Sequence, residues 1–423
     1  MKVSDTGIDE RLWKKAEELG IKEMTEIQEK TIPKILEGKD VVGQAQTGSG
    51  KTLSFAIPII QKLSPEDGLS ALVLTPTREL CVQVTDVFRD FGKHMGINAT
   101  SVYGGVGLEP QIKAIKSSQV VVGTPGRILD HMGRGTIDFS SCKFLVLDET
   151  DRMLDMGFID DVEKIIKAVP KERQTLMFSA TISHDIKGIL ERHLKDPEMV
   201  MTEAYVDTSK LRQVYYDIRY NNDKFSVLSH FLMEPSNGLS LVFCATRTEA
   251  DIVARNLKKN GINARSIHGG MTQNSREDSL DALKKEKTDV LVATDVAARG
   301  LDIKNITHVY NYDVPKTIKD YLHRIGRTAR AGEEGEAITL LTERDHDTFR
   351  RIQRDAQFII HRDEVPYFKK VPFSRGSRRD GPRSGGRFSS RGPGRGRSDN
   401  RNFGRGDSRK PRQGKGRPSR RRY

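Results

Sequence analysis

Two doubly wound α/β domains with parallel sheets, followed by a basic, disordered tail, are what this sequence predicts, and three observations predict it. Short apolar, β-rich runs alternate with amphipathic helical stretches from residue 39 to residue 356, which is the rhythm of parallel strands joined by crossover helices. That rhythm pauses once, in the polar stretch 203–209, and then restarts. Beyond Asp363 the composition changes to Arg, Gly, Ser and Pro with isolated aromatics, from which no core can be built. The expected division is therefore residues 1–204, 205–362 and 363–423.

In the first half, Leu12, Trp13, Ala16 and Leu19 recur at helical spacing, with Gly20 where a helix would end. A strand is expected at 39–43 and a helix at 53–63. Strand and helix pairs follow at 71–75 with 77–94, 100–103 with 110–116, and 120–123 with 126–132. The fully apolar run 144–147 ends in Asp148-Glu149, and 174–179 leads through Ala180-Thr181 into a helical pattern from His184. The second half opens with 213–219 and repeats the plan at 239–243 with 248–259, 264–267 with 274–285, 290–293, 309–312 with 318–325, and 338–341 with 344–356.

Charge sharpens this division. Of 71 Lys+Arg and 58 Asp+Glu, residues 363–423 hold 20 and 5, so residues 1–362 carry 51 and 53 and are close to neutral. The basic character belongs to the tail. Its Arg-Gly steps at Arg375, Arg391, Arg395 and Arg405, with Phe388 and Phe403 between, supply guanidinium planes and rings that stack on bases and pair with phosphates. RNA is the expected partner, with DNA, another polyanion and a purely solubilising role as alternatives. Cys81, Cys142 and Cys244 lie far apart in apolar settings, the pattern of reduced, buried thiols. Residues 1–5 lack the apolar core of a signal peptide and no apolar run approaches ~18 residues, so a soluble, cytoplasmic protein without membrane contact is expected.

One stretch carries chemistry openly. Ala45-Gln46-Thr47-Gly48-Ser49-Gly50-Lys51-Thr52 sits between an expected strand and an expected helix, the context a phosphate-binding loop requires. Gly48 and Gly50 let backbone N–H groups turn inward on a phosphate, and the new helix adds the positive end of its dipole. Lys51 then reaches the β- and γ-phosphates of a nucleotide and Thr52 offers a hydroxyl to Mg²⁺. A second metal ligand is needed, and Asp148 is delivered by its strand to the carboxyl edge of the same sheet, where such folds bind ligands. Glu149, one residue on, is placed to polarise water. The second half has no phosphate loop, but Arg324, Arg327 and Arg330 stand three apart. They lie along one helical face if the helix continues, or along a helix end and its loop if Gly326 breaks it. A domain with arginines and no phosphate loop can complete the other domain's site when the two close.

Together these residues resemble the DEAD-box ATP-dependent RNA helicases of superfamily 2, from about Leu12 to about Thr342. The motif series stands in family order: Gly20 to Gln28, Ala45 to Thr52, Pro76-Thr77-Arg78-Glu79-Leu80, Gly104-Gly105, Thr124-Pro125-Gly126-Arg127, Asp148-Glu149-Thr150-Asp151 and Ser179-Ala180-Thr181. In the second half come Val242 to Thr246, His268-Gly269-Gly270 with Gln273 and Arg276, Ala293-Thr294-Asp295 through Asp302, and His323 to Arg330. The resemblance implies two RecA-like domains, ATP and Mg²⁺ as cofactors, and RNA-dependent ATP hydrolysis that opens short duplexes or remodels RNA–protein complexes. It implies that Gln28 reads adenine, that Thr47, Gly48, Ser49, Gly50, Lys51 and Thr52 hold the phosphates, and that Asp148 and Thr52 serve Mg²⁺. Glu149 would act on the attacking water, Asp302 on the ribose, and Arg327 and Arg330 as arginine fingers. Ser179, Thr181 and His323 would couple hydrolysis to strand separation. RNA would be met mainly through its backbone by Thr77, Arg78, Gly105, Thr124, Arg127, Thr246, Gly269 and Thr294, so that base sequence matters little.

The sequence departs from the family pattern at a few positions. Thr150 stands for the usual Ala and puts a β-branched hydroxyl in a tight site. Met24 replaces a Pro, Ile21 an aromatic, and Val3 an upstream Phe, which weakens the adenine reading relative to the phosphate reading. Ala329 replaces a Gly between the two fingers and is expected to have φ below zero, since a left-handed Ala would be strained. Two rivals remain at this point: a DNA helicase of the same superfamily, and an ATP-dependent RNA clamp or scaffold that does not unwind.

Overall fold

A computed structural model describes residues 7–45, 49–202, 211–234, 238–298, 305–329, 334–356 and 358–375. The predicted alternation is the observed one, and it produces two seven-stranded, all-parallel sheets. In the first, β1 (Val41–Gln44), β2 (Ala71–Leu74), β3 (Ala99–Val102), β4 (Val120–Gly123), β5 (Phe144–Leu147), β6 (Gln174–Ser179) and β7 (Glu198–Met201) lie in the order β3-β4-β2-β5-β6-β1-β7. The second contains β8 (Leu211–Asp217), β9 (Leu239–Cys244), β10 (Ala264–Ile267), β11 (Val290–Thr294), β12 (Ile306–Asn311), β13 (Gly335–Leu341) and β14 (His361–Asp363). Its order, β10-β11-β9-β12-β13-β8-β14, repeats the first strand for strand.

Apolar residues on both faces of each central strand make this packing possible. Val41, Val73, Val122, Val146 and Phe178 point into one core, and Val42, Leu72, Val121, Leu145 and Met177 into the core on the opposite face. Helices cover both faces, so the strand ends are what remain for chemistry. Helix Glu10–Glu18 stops at Leu19, and Gly20 follows at φ +80, as its position in the sequence suggests.

Three short elements carry too little pattern to have been expected. β7 is an edge strand, and the helix Asp295–Ala298 is a single turn. β14 has three residues, none of them apolar, yet it pairs in register with Val214, Tyr215 and Tyr216. The start of an unstructured tail at Asp363 is therefore corrected: Asp363 ends a strand, and Val365, Phe368, Val371 and Phe373 pack against the core of the second sheet. The expected division at 204 falls among residues 203–210, and most of the Arg/Gly-rich stretch falls in 376–423; both lie outside the described residues.

Candidate active site and nucleic-acid interface

β1 delivers Ala45 to the carboxyl edge of its sheet. Thr47 and Gly48 lie outside the described residues, and the chain is described again at Ser49 and Gly50. Gly50 has φ +89 and caps the helix Lys51–Lys62. A Cβ there would come within 2.5 Å of the Gln28 amide nitrogen, so both backbone and space demand glycine. Gln28, 4% exposed, donates from Nε2 to the Gly50 carbonyl at 3.0 Å and accepts the Thr25 N–H at 3.0 Å. It braces the loop from behind, and a primary amide has one further N–H and lone pair to offer a base. Lys51 is buried and folds back over the loop to donate to the Ala45 carbonyl at 2.7 Å, while Thr52 is half-buried in the first helical turn.

β5 ends two strands away, with β6 between. Asp148 is 3% exposed, and its carboxyl is pushed up to about 7 by burial, against the opposing pull of the Lys51 ammonium. Glu149 turns the chain at φ +49, leading into the helix Thr150–Asp155. Its carboxylate lies 3.5 Å from Arg152, one helical turn on. The Thr150 hydroxyl is buried and donates to the Leu147 carbonyl at 3.2 Å, with the Phe178 carbonyl at 3.5 Å. The added hydroxyl thus bridges the ends of β5 and β6. Thr181 donates to Asp151 at 3.0 Å, and Ser179 donates to the Thr181 carbonyl at 2.7 Å while its oxygen accepts the Asp151 N–H at 3.3 Å.

Mg²⁺ fits this donor set. A buried carboxylate that burial disfavours in its charged form is one a divalent cation would restore, and Thr52 and Asp148 present hard oxygen atoms. Among the described residues, no group of three His, Cys, Asp or Glu is placed to hold a metal unaided, so phosphate oxygens would complete the coordination.

The second half meets this site. Its helix Ile318–Ile325 ends at Gly326, which decides between the two geometries open to the arginines. Arg324 is buried in its own domain, bidentate to Asp295 at 2.6 and 2.7 Å and bonded to Asn311 and the Asp313 carbonyl. It lies 5.0 Å from the Phe243 ring centroid and is a structural residue. Arg327, past the helix end and 3% exposed, lines a small cavity together with His323, Lys51, Glu149, Asp151, Arg152 and Ala180. Arg330 and Asp302 lie outside the described residues. Ala329 corrects the expectation made for it: its φ is +53, the left-handed region. A Cβ added at Gly335 would come within 2.7 Å of the Ala329 nitrogen, so the two stretches of backbone pass close together.

Three basic side chains make further contacts between the halves. Arg152 donates to the Val296 carbonyl at 2.7 Å, Lys319 lies 3.1 Å from Asp155 and 3.6 Å from Asp151, and Arg276 lies 3.0 Å from Glu79. Burial alone would raise the Asp151 carboxyl, but Lys319, His323 and the Thr181 hydroxyl hold it below its ordinary value. Arg152 and Lys319 escaped the reading of the sequence. Arg152 could have been found from its one-turn spacing after Glu149; for Lys319 there was no signal.

The RNA candidates occupy the other half of the same edges. Thr77 and Thr124 cap the helices after β2 and β4, and Gly105 follows β3 at φ +87. Arg78 packs its guanidinium directly against Gly105, where no side chain would fit. Arg127 donates to the Val106 carbonyl at 3.2 Å. In the second sheet Thr246 caps the helix after β9, Gly269 follows β10, and Thr294 ends β11. The equivalence of the two sheets pairs Thr77 with Thr246, Gly105 with Gly269, and Thr124 with Thr294. Arg247, 3.4 Å from a Cβ at Gly269, then matches Arg78 and was not singled out from the sequence. Ile21 packs against the first core, whereas Val3 lies outside the described residues.

Comparison with known proteins agrees with this geometry. Residues 25–189 match the DEAD/DEAH box helicase family and residues 223–332 the helicase conserved C-terminal domain. The ATP-dependent RNA helicase CshA of Listeria monocytogenes is 47% identical over 83% of this chain and 68% of its own length. The DEAD-box ATP-dependent RNA helicase CshA of Bacillus subtilis is 44% identical over 86% and 74%. Among solved structures, S. cerevisiae Dbp5 bound to RNA and ADP BeF3 superposes with a TM-score of 0.79 at 29% identity, covering 86% of this chain and 95% of that one. A DEAD box protein from Methanococcus jannaschii is 38% identical over 85% and 98% of the two chains, yet scores 0.53.

Proposed function

We propose, from the premise that this chain belongs to the DEAD-box ATP-dependent RNA helicases, that its two RecA-like halves share one hydrolytic site which RNA helps to close. The protein is an RNA-dependent ATPase that uses ATP and Mg²⁺ to unwind short RNA duplexes. The proposed division between the halves is at 204/205, and the second half extends past the expected limit of 362 to include β14 and the residues through Phe373 that pack on its core. Gln28 orients the base, and Thr47, Gly48, Ser49, Gly50, Lys51 and Thr52 bind the phosphates, with Asp302 on the ribose. Mg²⁺, for which Thr52 and Asp148 are the ligands on the protein side, would neutralise charge on the β- and γ-phosphates. Glu149 takes the proton of the water that attacks the γ-phosphorus, and the bond to the β-phosphate oxygen breaks to release ADP and phosphate. Arg152 holds Glu149 in place. Arg327 and Arg330 balance the charge that develops on the equatorial oxygens, an effect worth ~10³–10⁵ in rate for such fingers.

The observation that carries this reading is the cavity in which Lys51 and Glu149 of one half face His323 and Arg327 of the other. Ser179 and Thr181, tied to Asp151, connect that cavity to His323 and give closure a route to the RNA edge. RNA crosses that edge at Thr77, Arg78, Gly105, Thr124 and Arg127, then at Thr246, Gly269 and Thr294, with the basic tail beyond. A cytoplasmic location is proposed; among the described residues no helix is long and apolar enough to cross a membrane. Glu149→Gln tests the assignment: turnover is expected to vanish while ATP-dependent RNA binding persists, and normal hydrolysis by this variant would remove Glu149 from the mechanism.

A further inference from the structure

The amino edge of the second sheet holds a cavity that neither ATP hydrolysis nor RNA uses. Parallel pairing sets His308 of β12 opposite Glu336 of β13, and Glu336 opposite Arg212 of β8, so the three form one row near the start of their strands. Two residues on, Tyr310 and Ile338 form the next row on the same face. Central strands of a covered parallel sheet carry apolar rows, and the second row obeys this while the first does not. The charged row opens instead into a cavity of about 300 Å³, closed over by Phe231 and Glu234 at the end of the helix Lys224–Leu232 and by Glu364 and Pro366 just after β14. Thr246, Gly269 and Thr294 follow or end strands of the same sheet at the opposite, carboxyl edge.

The lining is anionic and aromatic. Arg212 is already divided between Glu336 and Asp363, and Glu336 also lies 3.5 Å from His308. His308, working against burial, and then Arg212 hold the Glu336 carboxyl below its ordinary value, so it is charged at neutral pH. Glu234 lies 3.8 Å from His230, and among the described residues Glu364 has no ion-pair partner. Carboxylates therefore outnumber the one guanidinium, and the excess negative charge repels phosphate, which rules out RNA and nucleotides as occupants. Behind the carboxylates stand rings. Phe231 lies 4.8 Å from Tyr216 and 6.4 Å from Tyr310, and His308 stacks on Tyr310 at 6.1 Å.

Carboxylates to pair with and rings to lie on are what a planar, weakly hydrated guanidinium can use together; the compact ammonium of lysine is harder to desolvate and fits the rings less well. The volume is at the small end for ligand sites, room for one side chain and not for a large ligand. The exposed Met233 adjoins Glu234 in the chain, and Tyr367, 96% exposed, adjoins Pro366, so apolar surface stands ready for residues on either side of that side chain. We propose that this cavity is a docking site for an arginine side chain carried on an exposed segment of a partner protein, with Tyr367 and Met233 covering the residues beside it.

The test is a displayed library of heptapeptides with arginine fixed at the centre, selected against the full chain and followed by anisotropy of the recovered peptides in solution. These peptides should carry an apolar or aromatic residue next to the arginine and bind more weakly when it is replaced by lysine or alanine. Glu234→Gln with Glu364→Gln, both at exposed positions, should weaken binding about tenfold, and Tyr367→Ala should weaken it further. RNA-stimulated ATPase should be unchanged in these variants, which shows that they fold, and RNA should not displace the peptide. Failure to recover any peptide whose binding depends on Glu234 and Glu364, equal binding by the lysine-centred peptides, or displacement by RNA would overturn the proposal. Binding that emerges only after residues 376–423 are removed would overturn it too, since the chain's own arginines would then be the occupants.

Discussion

Ala329 stands at φ +53 between two arginines, and the position costs it stability. A left-handed alanine is strained by roughly 1–2 kcal/mol, of which glycine's greater entropy in the unfolded chain would cancel part. Ala329→Gly is accordingly expected to stabilise the protein by about 0.5–1 kcal/mol in urea unfolding; an equal or lower midpoint would show that the loop relaxes without it. Asp148 gives a pH prediction. Its carboxyl is raised to about 7 from 3.8 by burial, so the stability it contributes is present below about 3.8 and is lost as pH rises through about 7. In the nucleotide-free protein, the advantage of Asp148→Asn over the parent should grow between pH 4 and pH 7 and level off above. A difference in melting temperature that does not vary with pH would contradict this. Such residues separate what a sequence exposes from what it hides. Lys51, Asp148 and Glu149 were legible because their chemistry needs fixed spacings on recognisable strands. The left-handed backbone of Ala329 was not, because an alanine in the sequence carries no signal of its φ.

At the scale of elements, the central strands of both sheets were legible as apolar runs, since burial on two faces leaves little room for polar residues. β14 was not legible, because it needs only backbone groups to pair with β8 and brings no apolar side chain of its own. The stretch after β14 was hidden for a related reason. Val365, Phe368, Val371 and Phe373 follow neither a strand nor a helix period, and they find their core on another part of the chain. The helix Ile318–Ile325 carries the contact least visible beforehand. Lys319, with its side chain 29% exposed, reaches Asp151 and Asp155 across the cleft, and a pair this exposed contributes on the order of 1 kcal/mol or less. Reversing its charge turns attraction into repulsion. Lys319→Glu should raise the RNA concentration for half-maximal ATPase by ~3–10-fold, about 1 kcal/mol, and Asp155→Lys in the same chain should recover part of the loss. Unchanged RNA dependence in the single variant would show that the contact has no part in closure.

The whole molecule repeats one sheet twice and divides the labour between the copies. In the proposed reading the carboxyl ends of β1, β5 and β6 would serve phosphate chemistry, and those of β2, β3 and β4 would face RNA together with their counterparts β9, β10 and β11. Removing residues 376–423 should weaken RNA binding and flatten its salt dependence by at least the ~0.7 per phosphate contact that single strands show. The ATPase rate of RNA-saturated protein should be preserved; a collapse there would make the tail part of the catalytic cycle. The central claim is that the hydrolytic site is incomplete until the second half brings Arg327 to it. Steady-state ATPase of the parent chain and of Arg327→Ala, each with and without single-stranded RNA, tests that claim most directly. RNA should stimulate the parent strongly, and Arg327→Ala should lose ~10³-fold or more of the stimulated rate while binding ATP as well as the parent. Stimulation by RNA that survives in Arg327→Ala would mean that the first half hydrolyses ATP without the second.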